Sequence, residues 1–141
     1  MFWQKEKPVV NEGLGLAEKV ALEAEGFYRS GRMNCAEAAL MAVKNNLRPE
    51  IPDSVVEMAG GFGGGSGTGC LCGAVVGGTM AIGLVLPHDK RQVSKLTQEL
   101  HHWFKSQYGA TCCKVVRANH KGICAELTGA VAGKAAELLE K

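Results

Sequence analysis

Apolar residues recur at helical spacing along much of the chain and predict a run of amphipathic helices. The first predicted helix has Asn11 as its N-cap and ends at Ser30-Gly31. Its apolar face carries Leu14, Ala17, Val20, Ala21, Ala24 and Phe27 or Tyr28. Residues 1–10 show no such pattern, and we expect them to be an N-terminal tail outside a single domain spanning 11–141.

A capping box predicts where the second helix begins. Asn34 has the position of an N-cap and Glu37 that of the third helical residue, so Cys35 becomes the first residue of the helix. The apolar pattern continues through Val43, and the helix is expected to stop near Pro49.

A glycine-rich segment occupies the middle of the chain. Before it, Ser54–Ala59 is predicted as a short helix, although Val55-Val56 leaves a strand open. Gly60–Gly69 holds seven glycines in ten residues and is predicted as a loop. The strongly apolar stretch Leu71–Leu86 is predicted as a buried helix closed by Pro87, because its 16 residues are fewer than the roughly 18 of a membrane span.

Small residues recur four positions apart in that apolar helix. Gly73 with Gly77, and Ala74 with Gly78, would let a neighbouring backbone approach closely. The same face would suit a homodimer.

The last third of the chain predicts three more helices. Asp89 can cap the first and Gly109 can end it, and its apolar face carries Val93, Leu96, Thr97, Leu100, Phe104 and Tyr108. Thr111 can cap a short second one, and the third follows Gly122 with Cys124, Leu127, Val131, Ala135 and Leu138 on its apolar face. The fold class predicted is all-α: a compact bundle of about five to seven helices around a glycine-rich loop.

The charge and the cysteine content of the chain favour some classes of function over others. The 141 residues are 46% apolar with a net charge of +2, and the basic residues are scattered along the sequence, so nothing indicates nucleic-acid binding. Six cysteines are many for this length. Because Met1–Val10 has no apolar core or cleavage site of a secretion signal, we expect a cytoplasmic protein, in which clustered cysteines favour metal or redox chemistry over disulfides.

Four cysteines fall at or near predicted helix starts: Cys35, Cys72, Cys113 and Cys124. Unpaired N–H groups and the helix dipole favour a thiolate there, and thiolates bound to iron or zinc need such donors. The glycine loop can supply more. Each cysteine taken alone also suits a buried, inert position.

The spacing of the cysteines matches none of the common motifs that would identify a cofactor. The close pairs are Cys70-x-Cys72 and Cys112-Cys113, whereas zinc sites use C-x2–4-C and thioredoxins C-x-x-C. Ferredoxin and haem-attachment runs do not occur, nor does the phosphate-binding G-x-G-x-x-G. His120 is a weak candidate for a substitute ligand, and no spacing supports a catalytic triad.

The segment Cys72–Gly77 matches the C-G-A-x-x-G core of the redox-active protein family named for the pattern C_GCAxxG_C_C, and the chain resembles that family over most of residues 31–139. The flanking segments that carry the resemblance are Asn34–Ala38, Gly60–Gly65, Gly109–Lys114 and Cys124 with Leu127.

The resemblance implies a function and a set of site residues. The family's four cysteines fall on Cys35, Cys72, Cys113 and Cys124, and its glycines near the cofactor on Gly73, Gly64 and Gly65. Cys70 and Cys112 are extras that could be substitute ligands or form a disulfide, and the third ligand stays open between Cys112 and Cys113. The resemblance implies an iron–sulfur cluster, and the family is similar to the non-haem part of split-Soret cytochromes. Because this chain has no haem-attachment motif, no haem is implied.

The leading hypothesis is therefore a small electron-transfer or redox-sensing protein, rather than a catalyst, with an iron–sulfur cluster on four cysteine thiolates. It would work with a redox partner protein. The alternatives are a cofactor-free dithiol/disulfide protein and a zinc-binding interaction module.

Overall fold

The computed structural model describes residues 14–140, and helices make up most of that range. In chain order these are α1 (Leu16–Arg29), α2 (Cys35–Leu47), a 3₁₀ helix (Asp53–Phe62), α3 (Gly73–Val85), α4 (Lys90–Tyr108), α5 (Cys113–Asn119) and α6 (Cys124–Glu140). No strand forms within residues 14–140, where the only extended pairing is a single antiparallel bridge between Leu71 and Cys112. The predicted all-α fold is confirmed.

Two predicted helix starts are confirmed by their capping contacts. The Asn34 side chain accepts the Glu37 N–H at 2.8 Å, and the Glu37 carboxylate accepts the Asn34 N–H at 2.9 Å, which completes the capping box of α2. The Asp89 carboxylate accepts the Gln92 N–H at the start of α4. Gly109, with φ of +86°, ends α4 in the left-handed conformation that glycine tolerates best.

Other boundaries differ from the predictions. Helix α1 has Gly15 as its N-cap, while Asn11 and the predicted tail of residues 1–10 lie outside the described residues. Cys112 rather than Thr111 caps α5, because the Thr111 carbonyl is already engaged by the Cys72 N–H at 2.8 Å. Helix α3 begins at Gly73, two residues later than predicted, because Leu71 belongs to the bridge.

The segment before the glycine loop is a 3₁₀ helix, so the strand alternative for Val55-Val56 is wrong. Its buried residues Val56 and Ala59 are three positions apart, which brings both to one side of a helix with three residues per turn. The helix runs to Phe62, into the first residues of the predicted Gly60–Gly69 loop.

A buried lysine fixes the turn that leads into the 3₁₀ helix. The Lys44 side chain is 1% exposed, and its ammonium donates to the Ile51 carbonyl at 2.8 Å and pairs with Asp53 at 3.0 Å. These partners offset the cost of burying the charge. The contact ties α2 to the segment that carries the chain toward the glycine loop.

Helices pack closely where glycines face a neighbouring backbone. A Cβ at Gly77 of α3 would collide with the Ala36 backbone of α2, and one at Gly78 would meet Leu100 and Val131. The face predicted to allow close approach is therefore used inside the chain. Among the described residues, no helix combines the length and the apolar character needed to cross a membrane.

Replacing Gly77 by alanine should destabilise the protein, because the added Cβ would lie 2.9 Å from the Ala36 Cα and closer still to its carbonyl oxygen. Overpacking of this kind costs about 1–3 kcal/mol. Urea unfolding followed by circular dichroism measures the change.

Gly83 in the same helix provides the matched control, since a Cβ there meets nothing within 4 Å. Gly83→Ala should stabilise the protein by up to about 1 kcal/mol through helix propensity. Equal stabilities of the two variants would contradict the contact between α2 and α3.

Candidate functional site

Four cysteines from four helix starts line one cavity of about 560 Å³. Cys35, Cys113 and Cys124 are the first residues of α2, α5 and α6, and Cys72 is the N-cap of α3. Cys72 and Cys113 are buried, at 6% exposure each, whereas Cys35 and Cys124 are half-buried. The structure thus brings together the four cysteines that sequence analysis singled out.

A short backbone pairing brings Cys72 next to Cys113. The Cys72 N–H donates to the Thr111 carbonyl, and the Cys113 N–H donates to the Cys70 carbonyl. Leu71 and Cys112 form the bridge between these two hydrogen bonds. Because each segment ends where a helix begins, the pairing fixes the starts of α3 and α5 side by side.

Gly73 allows Cys35 to approach the start of α3. A Cβ at this position would collide with the Cys35 Sγ and with the Phe62 carbonyl oxygen. Any side chain here would therefore displace either the thiol or the end of the 3₁₀ helix. The glycine that the resemblance assigns to the site is required by this contact.

A left-handed turn at 64–67, the glycine turn, covers the thiols from one side. The φ angles of Gly64, Gly65, Ser66 and Gly67 lie between +62° and +72°, a region costly for residues with a Cβ. Gly65 is buried, and a Cβ on it would lie 2.8 Å from the Cys113 Cβ. Gly64 lines the cavity, and its N–H faces Cys35.

Burial favours the protonated form of two of the four thiols, Cys72 and Cys35. Burial raises the pKa of Cys72 to about 12, and burial also raises the pKa of Cys35. Neighbouring thiols raise both pKa values further, while backbone N–H groups act in the opposite direction, those of Val75 and Ala74 on Cys72 and that of Gly64 on Cys35. The cavity therefore holds hydrogen-bond donors that partly oppose the effect of burial on these two thiols.

The two extra cysteines lie outside the cavity. Cys70 is exposed, and the Cys112 thiol donates to the Gly69 carbonyl at 3.1 Å. Of the adjacent pair, Cys113 lines the cavity and Cys112 does not. The His120 ring packs edge-on against Tyr108, with 5.9 Å between centroids, and is not among the cavity residues.

The donor set of the cavity consists of four soft thiols, with no carboxylate among the lining residues. In the part of the chain that the structure describes, no three histidine, cysteine, aspartate or glutamate side chains are arranged to hold a metal ion. Soft thiolates with backbone N–H donors are the environment of iron–sulfur clusters.

Tyr28 and Arg117 are site residues that sequence analysis missed. Both line the cavity, and Tyr28 faces Cys124. Burial and, next, the neighbouring Cys124 raise the pKa of Tyr28, while Arg117 lowers it. Tyr28 sits at the end of a helical apolar pattern, so its spacing gave no sign of a polar role.

A second cavity, which we call the basic groove, adjoins the first. It measures about 1200 Å³ and collects four basic side chains: Arg29, Lys114, Arg117 and Lys121. The prediction of scattered charge overlooked that Lys114 and Arg117, three residues apart, share one side of α5. Lys121 follows them in the turn after that helix. Arg29 joins them from the end of α1.

Comparison with known proteins supports the resemblance seen in the sequence. A family model described as "Putative redox-active protein (C_GCAxxG_C_C)" matches residues 33–138, a range that includes all six cysteines. No curated protein and no solved structure matches the chain.

The cysteines of the reduced, metal-free protein should differ widely in reactivity toward iodoacetamide. Exposed Cys70 should be alkylated first and Cys72 last, because Cys72 is buried with its pKa raised to about 12. The Cys72 rate should rise about tenfold per pH unit between about pH 7 and 10, as its thiolate fraction rises. Peptide mass spectrometry with fragmentation separates the two sites.

In guanidinium the two thiols should react at equal rates, which controls for local sequence effects. A Cys72 that reacts as fast as Cys70 in the folded protein would contradict the burial of its thiol.

Proposed function

Because the chain belongs to the C_GCAxxG_C_C family of redox-active proteins, we propose that it binds an iron–sulfur cluster through Cys35, Cys72, Cys113 and Cys124. The cluster would supply a one-electron redox couple. The protein would serve electron transfer or redox sensing with a partner protein, and its free thiols suit a reducing compartment such as the cytoplasm.

The convergence of four helix starts on one cavity is the observation that carries this proposal. Each helix start offers unpaired N–H groups and the positive end of a dipole, which together stabilise negative sulfur. The N–H groups of Gly64, Ala74 and Val75 already face Cys35 or Cys72. Hydrogen bonds of this kind to ligating sulfur also tune the potential of a cluster.

The raised pKa values of Cys35 and Cys72 favour a metal centre over the dithiol alternative. A nucleophilic cysteine for disulfide exchange needs a lowered pKa so that it is a thiolate at neutral pH. Iron binding replaces the thiol proton and yields the thiolate directly. Cys35 and Cys72 thus suit ligands better than attacking nucleophiles.

The cysteine spacing also favours a cluster over structural zinc. Zinc sites usually use C-x2–4-C pairs, whereas the close pairs of this chain are Cys70-x-Cys72 and Cys112-Cys113. Cys113, which lines the cavity, is the better third ligand than Cys112, whose thiol is bonded to the Gly69 carbonyl.

The test is the visible spectrum of protein purified without oxygen, with iron and sulfide assayed on the same sample. We expect a brown protein with absorption near about 400 nm and comparable amounts of iron and sulfide. A colourless, iron-free protein that resists reconstitution and loses two free thiols on mild oxidation would overturn the proposal in favour of dithiol chemistry. Stoichiometric zinc without colour would favour the interaction module.

Two pairs of variants test the ligand assignment. Cys72→Ser should lower the iron content at least roughly tenfold, since even an outer-shell change costs a metal site that much. Cys70→Ser, at the exposed neighbouring position, is its matched control and should keep the spectrum. Cys113→Ser and Cys112→Ser form the second pair, and iron retained in Cys113→Ser but lost in Cys112→Ser would reverse the assignment of the third ligand.

A further inference from the structure

We propose that the basic groove binds a small polyanionic molecule, bearing at least two phosphate or carboxylate groups, beside the cysteine cavity. The groove collects Arg29, Lys114, Arg117 and Lys121 from α1, α5 and the turn that follows α5. The chain as a whole carries a net charge of only +2, so this positive charge is a local feature.

The charge in the basic groove is largely uncompensated. Arg29 pairs with Glu25 at 2.8 Å, but Lys114, Arg117 and Lys121 form no salt bridge within the described range. No carboxylate is among the residues that line the groove. Cations held together without counter-charges repel one another, and an anion that binds between them relieves this repulsion.

The groove has room for a small molecule beside its glycine-lined wall. Its volume of about 1200 Å³ slightly exceeds the usual range of ligand pockets. Glycines of the loop, Gly64, Gly67 and Gly69, form part of its wall, so a ligand can reach the backbone there without meeting side chains. Backbone amides beside basic side chains are a frequent environment for bound phosphate and carboxylate groups.

The basic groove adjoins the cysteine cavity, and the two share part of their lining. Tyr28, Gly64, Arg117 and Cys124 line both, and Cys124 is the only one of the four proposed ligands that does so. An anion held by Lys114 and Arg117 would therefore lie next to Cys124 and Tyr28. Binding itself does not depend on the cluster, but the role of the ligand as a substrate or regulator of a redox centre rests on the proposed function.

The experiment titrates isotope-labelled, reduced, iron-free protein with inorganic pyrophosphate and, separately, with citrate, at constant ionic strength set by sodium chloride. Amide chemical shifts should move saturably at Gly64, Gly67, Lys114, Arg117 and Cys124. The two probes distinguish phosphate from carboxylate as the preferred chemistry, and saturable binding of either one supports the proposal.

Variants locate the site. Lys114→Gln and Arg117→Gln should each raise the dissociation constant of the probe roughly tenfold, because each removes a charged hydrogen-bond donor. Lys95→Gln, an exposed cation of α4 outside the groove, is the charge-matched control and should bind as the wild type does. Equal affinities of all three variants would overturn the proposal. It would also be overturned if neither pyrophosphate nor citrate saturates the protein up to about 10 mM.

A third titration, with short poly-glutamate, tests whether the groove binds an acidic protein instead of a small molecule. Saturable binding of the peptide, with none of pyrophosphate or citrate, would overturn the small-molecule proposal in favour of an acidic protein surface. The cluster is tested independently: iron-free protein that cannot be reconstituted but binds pyrophosphate in the groove would refute the proposed function while the groove proposal stands.

Discussion

The close approach of the start of α3 to its neighbours is the constraint on which the rest of the site depends. Gly73 leaves room for the Cys35 thiol and the Phe62 carbonyl, and Gly77 leaves room for the α2 backbone. The hydrogen bonds between the segments 70–72 and 111–113 then fix where α5 begins. Three of the four thiols are thereby held by backbone contacts, which are more rigid than contacts between side chains. A site built in this way requires glycine where a Cβ would separate two elements.

Rigidity and burial together determine the chemistry that the thiols can perform. The central segment has no ionisable side chain between Glu57 and His88 apart from the thiols of Cys70 and Cys72, so nothing on it can neutralise a thiolate in the cavity. Burial consequently raises the pKa of Cys72 to about 12. The N–H groups that face the sulfurs are too weak to reverse that effect but are well placed to stabilise sulfur once a metal has displaced its proton. In the metal-free protein, burial therefore disfavours the thiolates of Cys72 and Cys35.

Much of this architecture could be predicted from the sequence because it rests on local signals. The capping box at Asn34, the cap at Asp89 and the end of α4 at Gly109 each involve residues close in sequence. The cap of α5 could not be predicted, because Thr111 is engaged by Cys72, far away in the chain. The same holds for Tyr28 beside Cys124 and for Arg29 beside Lys114, which only the packing of α1 on the later helices brings together. Local spacing thus found the cysteines but not their surroundings.

The position of Cys124 links the two cavities. The other three proposed ligands line only the inner cavity. Cys124 also borders the basic groove, where Arg117 and Tyr28 make the surroundings polar. Because electrostatic energy falls with distance, a charge bound in the groove acts most strongly on the sulfur that borders it. An anion there would therefore shift the energy of the proposed redox centre through Cys124.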